Sequence, residues 1–123
     1  MRALVVDDSR TVRIIVGNIL REIGIEVVEA GNGLEALAQI QRDPEVDLML
    51  LDWNMPEMNG FDLLRAVRAQ RAYDGLRILM VTSESQSDQV MKALAAGANE
   101  YLMKPFNKEV LVAKLHLMDV FPE

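Results

Sequence analysis

Val46-Asp47-Leu48-Met49-Leu50-Leu51-Asp52 (residues 46–52) runs straight into Trp53-Asn54-Met55-Pro56. The apolar stretch has the length of one strand and no polar alternation after Asp47, the pattern of a strand buried on both faces. Asp52 therefore stands where a buried strand hands over to a loop. Three further apolar runs end in the same manner. Ala3-Leu4-Val5-Val6 meets Asp7-Asp8, Leu76-Arg77-Ile78-Leu79-Met80-Val81 meets Thr82, and Tyr101-Leu102-Met103 meets Lys104. Four strands closed by three acids, a hydroxyl and an ammonium predict one shared site.

Between these runs the hydrophobic period switches to that of helices. Ser9 is placed to cap a helix whose Val12, Ile15, Val16, Ile19, Leu20 and Ile23 share one face, and Gly24 is placed to end it. Ile25-Glu26-Val27-Val28-Glu29 mixes polar and β-branched residues and reads as an edge strand. Asn32 followed by Glu35 resembles a capping pair, opening a helix with Leu34, Leu37 and Ile40 inward. A helix with Phe61, Leu64 and Val67 on one side follows the Pro/Gly loop, and another passes through Val90, Met91 and Leu94 to end near Gly97. The last begins near Asn107 and buries Leu111, Leu115 and Met118. Strand–helix repeated five times implies crossovers and a parallel sheet covered on both faces. In such sheets ligands bind beyond the carboxyl ends of the strands, where Asp7, Asp8, Asp52, Thr82 and Lys104 lie.

The chain has 123 residues, half of them hydrophobic, which suits a single domain spanning residues 1–123. It has no cysteine, hence no disulfide framework or thiolate metal site. Net charge is −6, so this domain lacks the basic face that direct nucleic-acid or anionic-membrane binding needs. No apolar stretch approaches the roughly 20 residues of a membrane span. The N-terminus meets Asp7-Asp8 too early for a signal peptide, and a cytoplasmic location is expected.

Three clustered carboxylates repel one another and lose hydration, so near neutral pH they require protons or a cation. Oxygen ligands without histidine or cysteine favour Mg2+ over zinc. Each acid alone is equally explained as a loop residue, and Lys104 alone as a surface lysine. Their joint placement at successive strand ends favours the site.

Taken together, Asp7-Asp8, Asp52 with Met55-Pro56, Met58 and Gly60, Thr82, Tyr101 and Lys104-Pro105-Phe106 resemble the response-regulator receiver domains, most nearly the single-domain chemotaxis receivers. The likeness covers essentially the whole chain. It implies a flavodoxin-like (βα)5 three-layer sandwich with a parallel sheet in the order 2-1-3-4-5. It also implies that Asp52 accepts a phosphoryl group from a sensor histidine kinase or a histidine phosphotransfer protein. Asp8, Asp52 and the backbone carbonyl of Asn54 would ligate Mg2+, with Asp7 acting through water. Lys104 would neutralise the transferring oxygens, in keeping with phosphoryl transfer catalysed by positioning and charge.

In the family, a hydroxyl at the Thr82 position and an aromatic at the Tyr101 position report phosphorylation to the face formed by helix 4, strand 5 and helix 5, where a downstream protein binds. Asn54 and Glu84 occupy positions that tune phosphate loss. The resemblance further implies a cis Lys104-Pro105 peptide and a monomer able to dimerise on phosphorylation. Such a protein is a signalling phosphoacceptor rather than an enzyme, catalysing only its own phosphorylation and dephosphorylation.

Trp53 is expected to shield the rim of the site. His116, the only histidine, is expected at the surface, and the eight methionines as core filling. The output face departs from chemotaxis receivers, because Gln86-Ser87-Asp88 carries none of the lysines found there, although Lys114 matches.

Other readings fit less well. An aspartate-nucleophile phosphatase needs a general acid where Asn54 stands. A flavodoxin-like mononucleotide carrier needs a phosphate loop where Asp7-Asp8 would repel the ligand. A receiver serving only as a non-phosphorylated scaffold would not need the full set of site residues. A receiver cut from a DNA-binding transcriptional regulator remains an alternative, although Phe121-Pro122-Glu123 leads into no basic segment.

Overall fold

The computed structural model describes residues 1–83 and 87–120, with the side chain of Ser87 left aside. Its strands are β1 (Arg2–Val6), β2 (Glu26–Ala30), β3 (Val46–Asp52), β4 (Arg77–Ser83) and β5 (Glu100–Lys104). Its helices are α1 (Arg10–Glu22), α2 (Gly33–Arg42), α3 (Gly60–Arg68), α4 (Ser87–Ala95) and α5 (Lys108–Leu117), with a 3-10 turn at Arg71–Tyr73 before β4. All strand pairs are parallel, and the sheet order is β2-β1-β3-β4-β5, as the family resemblance implies.

The helix ends follow local chemistry. Ser9, Asn32, Asn59 and Asn107 each accept a backbone N–H from three residues on, satisfying donors that the helix leaves open. Gly24 follows α1 with φ of +89°, a conformation glycine adopts without side-chain strain.

Two cores sandwich the sheet. On one face Val16 and Leu20 of α1 and Leu111 and Leu115 of α5 pack on Ala3, Val5, Leu48, Leu50, Leu79, Val81 and Leu102. On the other, α2, α3 and α4 bring Ala36, Ile40, Leu63, Leu64, Val67 and Ala93 onto Leu4, Val6, Met49, Leu51, Ile78 and Met80. Strand residues alternate between these faces with period two. Four expected core positions turn outward: Ile15 is 55% exposed, Leu34 59%, Met91 71% and Met1 44%, so methionine fills the core at only some of its eight positions. In α2 the inward stripe is Gly33, Ala36 and Ile40 instead. A Cβ on Gly33 would lie 2.8 Å from Met58 Sδ, so this helix approaches too closely for a larger residue there.

Arg68 ties the far end of the molecule together. Its guanidinium donates to the carbonyls of Gly97, Tyr73 and Leu76 and to Asn99 Oδ1, at 2.7–2.9 Å. Asn99 Oδ1 also accepts the N–H of Ile78 at 2.8 Å. Burial lowers the pKa of Arg68, yet a guanidinium remains charged.

Candidate functional site

The carboxyl ends of β1, β3, β4 and β5 converge. Val6 pairs with Leu51, Asp52 pairs with Val81, and Val81 pairs with Leu102, so the last rows of four neighbouring strands lie side by side. Lys104 stands two residues beyond Leu102 and therefore projects to the same face as Asp52. Lys104 Nζ lies 3.1 Å from Asp52 Oδ1 and 3.4 Å from Asp7 Oδ2. Asp7 and Asp52 are buried, at 4% and 5% exposure, whereas Asp8 is exposed. Asp7, Asp8 and Asp52 each offer a carboxylate oxygen, and these oxygens lie within 4.8 Å of one another.

One ammonium among three acids leaves the cluster under-neutralised. Burial raises the pKa of Asp52 to about 6, Asp7 adds repulsion, and Lys104 offsets part of both. Burial works against the Lys104 ammonium too, but Asp52 and Asp7 outweigh it and hold its pKa above the ordinary lysine value. The donor set fits a hard divalent cation: crowded carboxylates, one of them open to solvent, and no nitrogen or sulfur ligand in the cluster.

The backbone behind Asp52 is tightly supported. Trp53 N–H donates to Val81 O at 3.0 Å, and Gly60 N–H donates to Trp53 O at 2.9 Å. A Cβ on Gly60 would collide with the Asp52 carbonyl oxygen and come within 2.9 Å of its carbon. Only glycine lets α3 start this close to the acid. Trp53 is buried and stacks on Phe61, ring centres 5.0 Å apart, walling the loop with aromatic surface as expected.

Thr82, the penultimate residue of β4, pairs with Met103 and faces away from the Asp52 row. It is 1% exposed, and its hydroxyl has no hydrogen-bond partner among the described residues. Tyr101 is half-buried on β5, opposite Met80. Asn54 is exposed in the loop after β3, and Glu84 lies outside the described residues, as does Gln86. The Lys104-Pro105 peptide is cis, and His116 is exposed on α5.

A response regulator receiver domain model matches residues 3–116. The chain belongs to the response-regulator receiver family. This receiver is 46% identical over 116 residues to the chemotaxis protein CheY homolog of Campylobacter jejuni, covering 94% of this chain and 89% of that protein. It is 44% identical to chemotaxis protein CheY1 of Helicobacter pylori, covering 96% of each. Among solved structures, chemotaxis response regulator CheY4 of Vibrio cholerae superimposes with a TM-score of 0.87 at 40% identity, covering 95% of this chain and 97% of that one.

Several contacts at the receiver's site gave no signal in the sequence. Lys114 Nζ sits 3.8 Å above the Tyr101 ring and 3.2 Å from Glu100 Oε1. Ser9 caps α1 and also donates its N–H to Asp7 Oδ1 at 2.9 Å. Arg13 reaches back from α1 to the Asp7 carbonyl at 2.6 Å. The Ser9 cap was foreshadowed by its position before an apolar helical stripe, and Lys114 by its match to the family; the Arg13 contact was not.

Proposed function

We propose that this receiver accepts a phosphoryl group on Asp52 from a phosphohistidine of a sensor kinase or phosphotransfer protein, in a Mg2+-dependent reaction. The observation that carries this reading is the Asp52 carboxylate at the sheet rim, 3.1 Å from Lys104 Nζ and clustered with Asp7 and Asp8. An Asp52 oxygen forms the bond to phosphorus as the bond to the donor nitrogen breaks, and the departing imidazole takes up a proton. Asp8 and Asp52, the Asn54 carbonyl and, through water, Asp7 would hold the Mg2+, which when bound supplies positive charge to the phosphoryl oxygens. Lys104, 3.1 Å from Asp52 Oδ1, steadies the same developing charge.

The phosphate brings added charge and strong acceptors to the strand ends. The buried Thr82 hydroxyl, without a partner among the described residues, is a donor in need of such an acceptor. Its engagement biases Tyr101 and the α4–β5–α5 face between two states rather than creating a new one. Asn54 and Glu84 govern the approach of water to the acyl phosphate. The output is a protein partner in a chemotaxis-type cytoplasmic pathway, in keeping with the chemotaxis proteins that this chain resembles.

Mass spectrometry after treatment with Mg2+ and acetyl phosphate tests the reading. One added phosphoryl group is expected, and none in Asp52→Asn. No gain by the parent under any Mg2+ concentration would overturn it.

A further inference from the structure

Asp7 is held at every polar atom. Its N–H donates to Ala30 O at 3.2 Å, its Oδ1 accepts from Ser9 N–H at 2.9 Å, and its Oδ2 faces Lys104 at 3.4 Å. The remaining atom, its carbonyl oxygen, accepts from Arg13 Nη1 at 2.6 Å. The same guanidinium donates through Nε to Glu29 Oε1 on β2 at 3.0 Å. One planar fork thus spans the first turns of α1, the end of β1 and the neighbouring strand, a reach and geometry that lysine cannot reproduce.

The carbonyl that Arg13 grips belongs to the peptide unit joining Asp7 to Asp8. That unit is planar from the Cα of Asp7 to the Cα of Asp8, so holding its oxygen restrains the position of the Asp8 Cα. Asp8 is exposed, and no hydrogen bond or ion pair of its carboxylate is found among the described residues. Its placement toward Asp52 therefore depends on the backbone that carries it.

We propose that Arg13 is a positioning residue for the cation site, setting the Asp7–Asp8 peptide plane and through it the Asp8 carboxylate. This rests on the reading that Asp7, Asp8 and Asp52 hold Mg2+. Charge and position act with opposite signs here. Loss of a cation beside three acids would by charge alone tighten Mg2+ binding. Loss of a positioning contact weakens it, and outer-shell partners of a metal site are commonly worth about tenfold or more in affinity.

Mg2+ titration of the whole chain, followed by Trp53 fluorescence and by calorimetry, decides between them. Arg13→Ala is expected to raise the Mg2+ Kd about tenfold. Arg13→Lys, which keeps the charge and loses the fork, is expected to raise it roughly threefold. The Mg2+ concentration for half-maximal phosphorylation by acetyl phosphate should rise in step, while the rate at saturating Mg2+ falls much less. A variant that is less stable to urea but has unchanged or tighter Mg2+ binding would leave Arg13 a structural tie and overturn the proposal. Should Arg13→Ala fail to fold, the Arg13→Lys titration carries the decision alone. Absence of Mg2+ binding by the parent would overturn this inference together with the cation reading, whereas a parent that binds Mg2+ and variants that match it overturn the inference only.

Discussion

Lys114 Nζ is stacked 3.8 Å over the ring of Tyr101, within reach of the π-face and held there by Glu100 at 3.2 Å. The ammonium is only partly exposed, so its attraction to the ring is worth about 0.5–1 kcal/mol. A double-mutant cycle with Lys114→Met and Tyr101→Leu, read by urea denaturation, should return a coupling energy of that size. Any motion that carries the ring inward must give up this contact. Lys114→Met should therefore raise the inward population of Tyr101 about two- to fivefold, measurable from ring NMR signals. A coupling energy of zero would leave Lys114 as a surface cation only.

Removing the other site lysine has a less intuitive result. Lys104→Met takes one positive charge from a cluster that already has too few. At pH 8, where protons no longer compete, Mg2+ binding should tighten by roughly fivefold. Phosphorylation should nonetheless slow sharply, because Lys104 also steadies charge on the transferring group. Calorimetry and acetyl phosphate kinetics on one preparation separate the two effects. Weaker Mg2+ binding by this variant would contradict the charge balance given above.

Asp52 also sets a pH dependence of stability. Burial, then Asp7, lift its pKa from 3.8 to about 6 in the folded protein, against the pull of Lys104. A carboxyl that holds its proton more firmly when folded favours folding fully below its unfolded pKa. That contribution is lost as pH rises through about 6. Asp52→Asn has no such titration, so metal-free variant and parent should diverge between pH 4 and 7, with the variant gaining stability relative to the parent. Thermal unfolding in a chelating buffer measures this. A stability difference that stays flat across the range would rule it out.

Thr82 is a buried hydroxyl whose absence should cost the resting fold nothing. Thr82→Val removes a polar atom that is unpaired among the described residues, at nearly constant shape, so stability should be equal or up to about 1 kcal/mol greater. The same variant should accept phosphate on Asp52 yet fail to pass the change to Tyr101. Comparing ring signals of phosphorylated parent and variant tests this. An unaltered Tyr101 response would remove Thr82 from the relay.

The features legible in the sequence were those written along one strand or helix. Val46–Asp52 showed both its burial and its terminal acid, and all five strand–helix repeats followed from the change in period. The strand order was available only through family resemblance, since periodicity does not say which strands are neighbours. Leu34 misled because hydrophobicity was weighed without distance: Met58 packs close against Gly33, which with Ala36 and Ile40 forms the buried side of α2. The 3-10 turn at Arg71–Tyr73 had no apolar period to announce it, and its carbonyl at Tyr73 is held by Arg68. Arg13, and the contact that Lys114 makes with Tyr101, escaped notice for a shared reason. Each acts by reaching from its own helix to a strand end, and such a reach has no signature in local sequence.

The Arg68 guanidinium fastens the turn before β4, the end of α4 at Gly97 and the entry to β5 at Asn99. All of these lie at the amino ends of the strands, while Thr82 and Lys104 lie at the opposite ends. The start of β4, the end of α4 and the entry to β5 are thus fastened together at the end of the sheet away from Asp52. If phosphorylation is relayed through Thr82 as proposed, the push arrives at the end of the layer farthest from the Arg68 fastening.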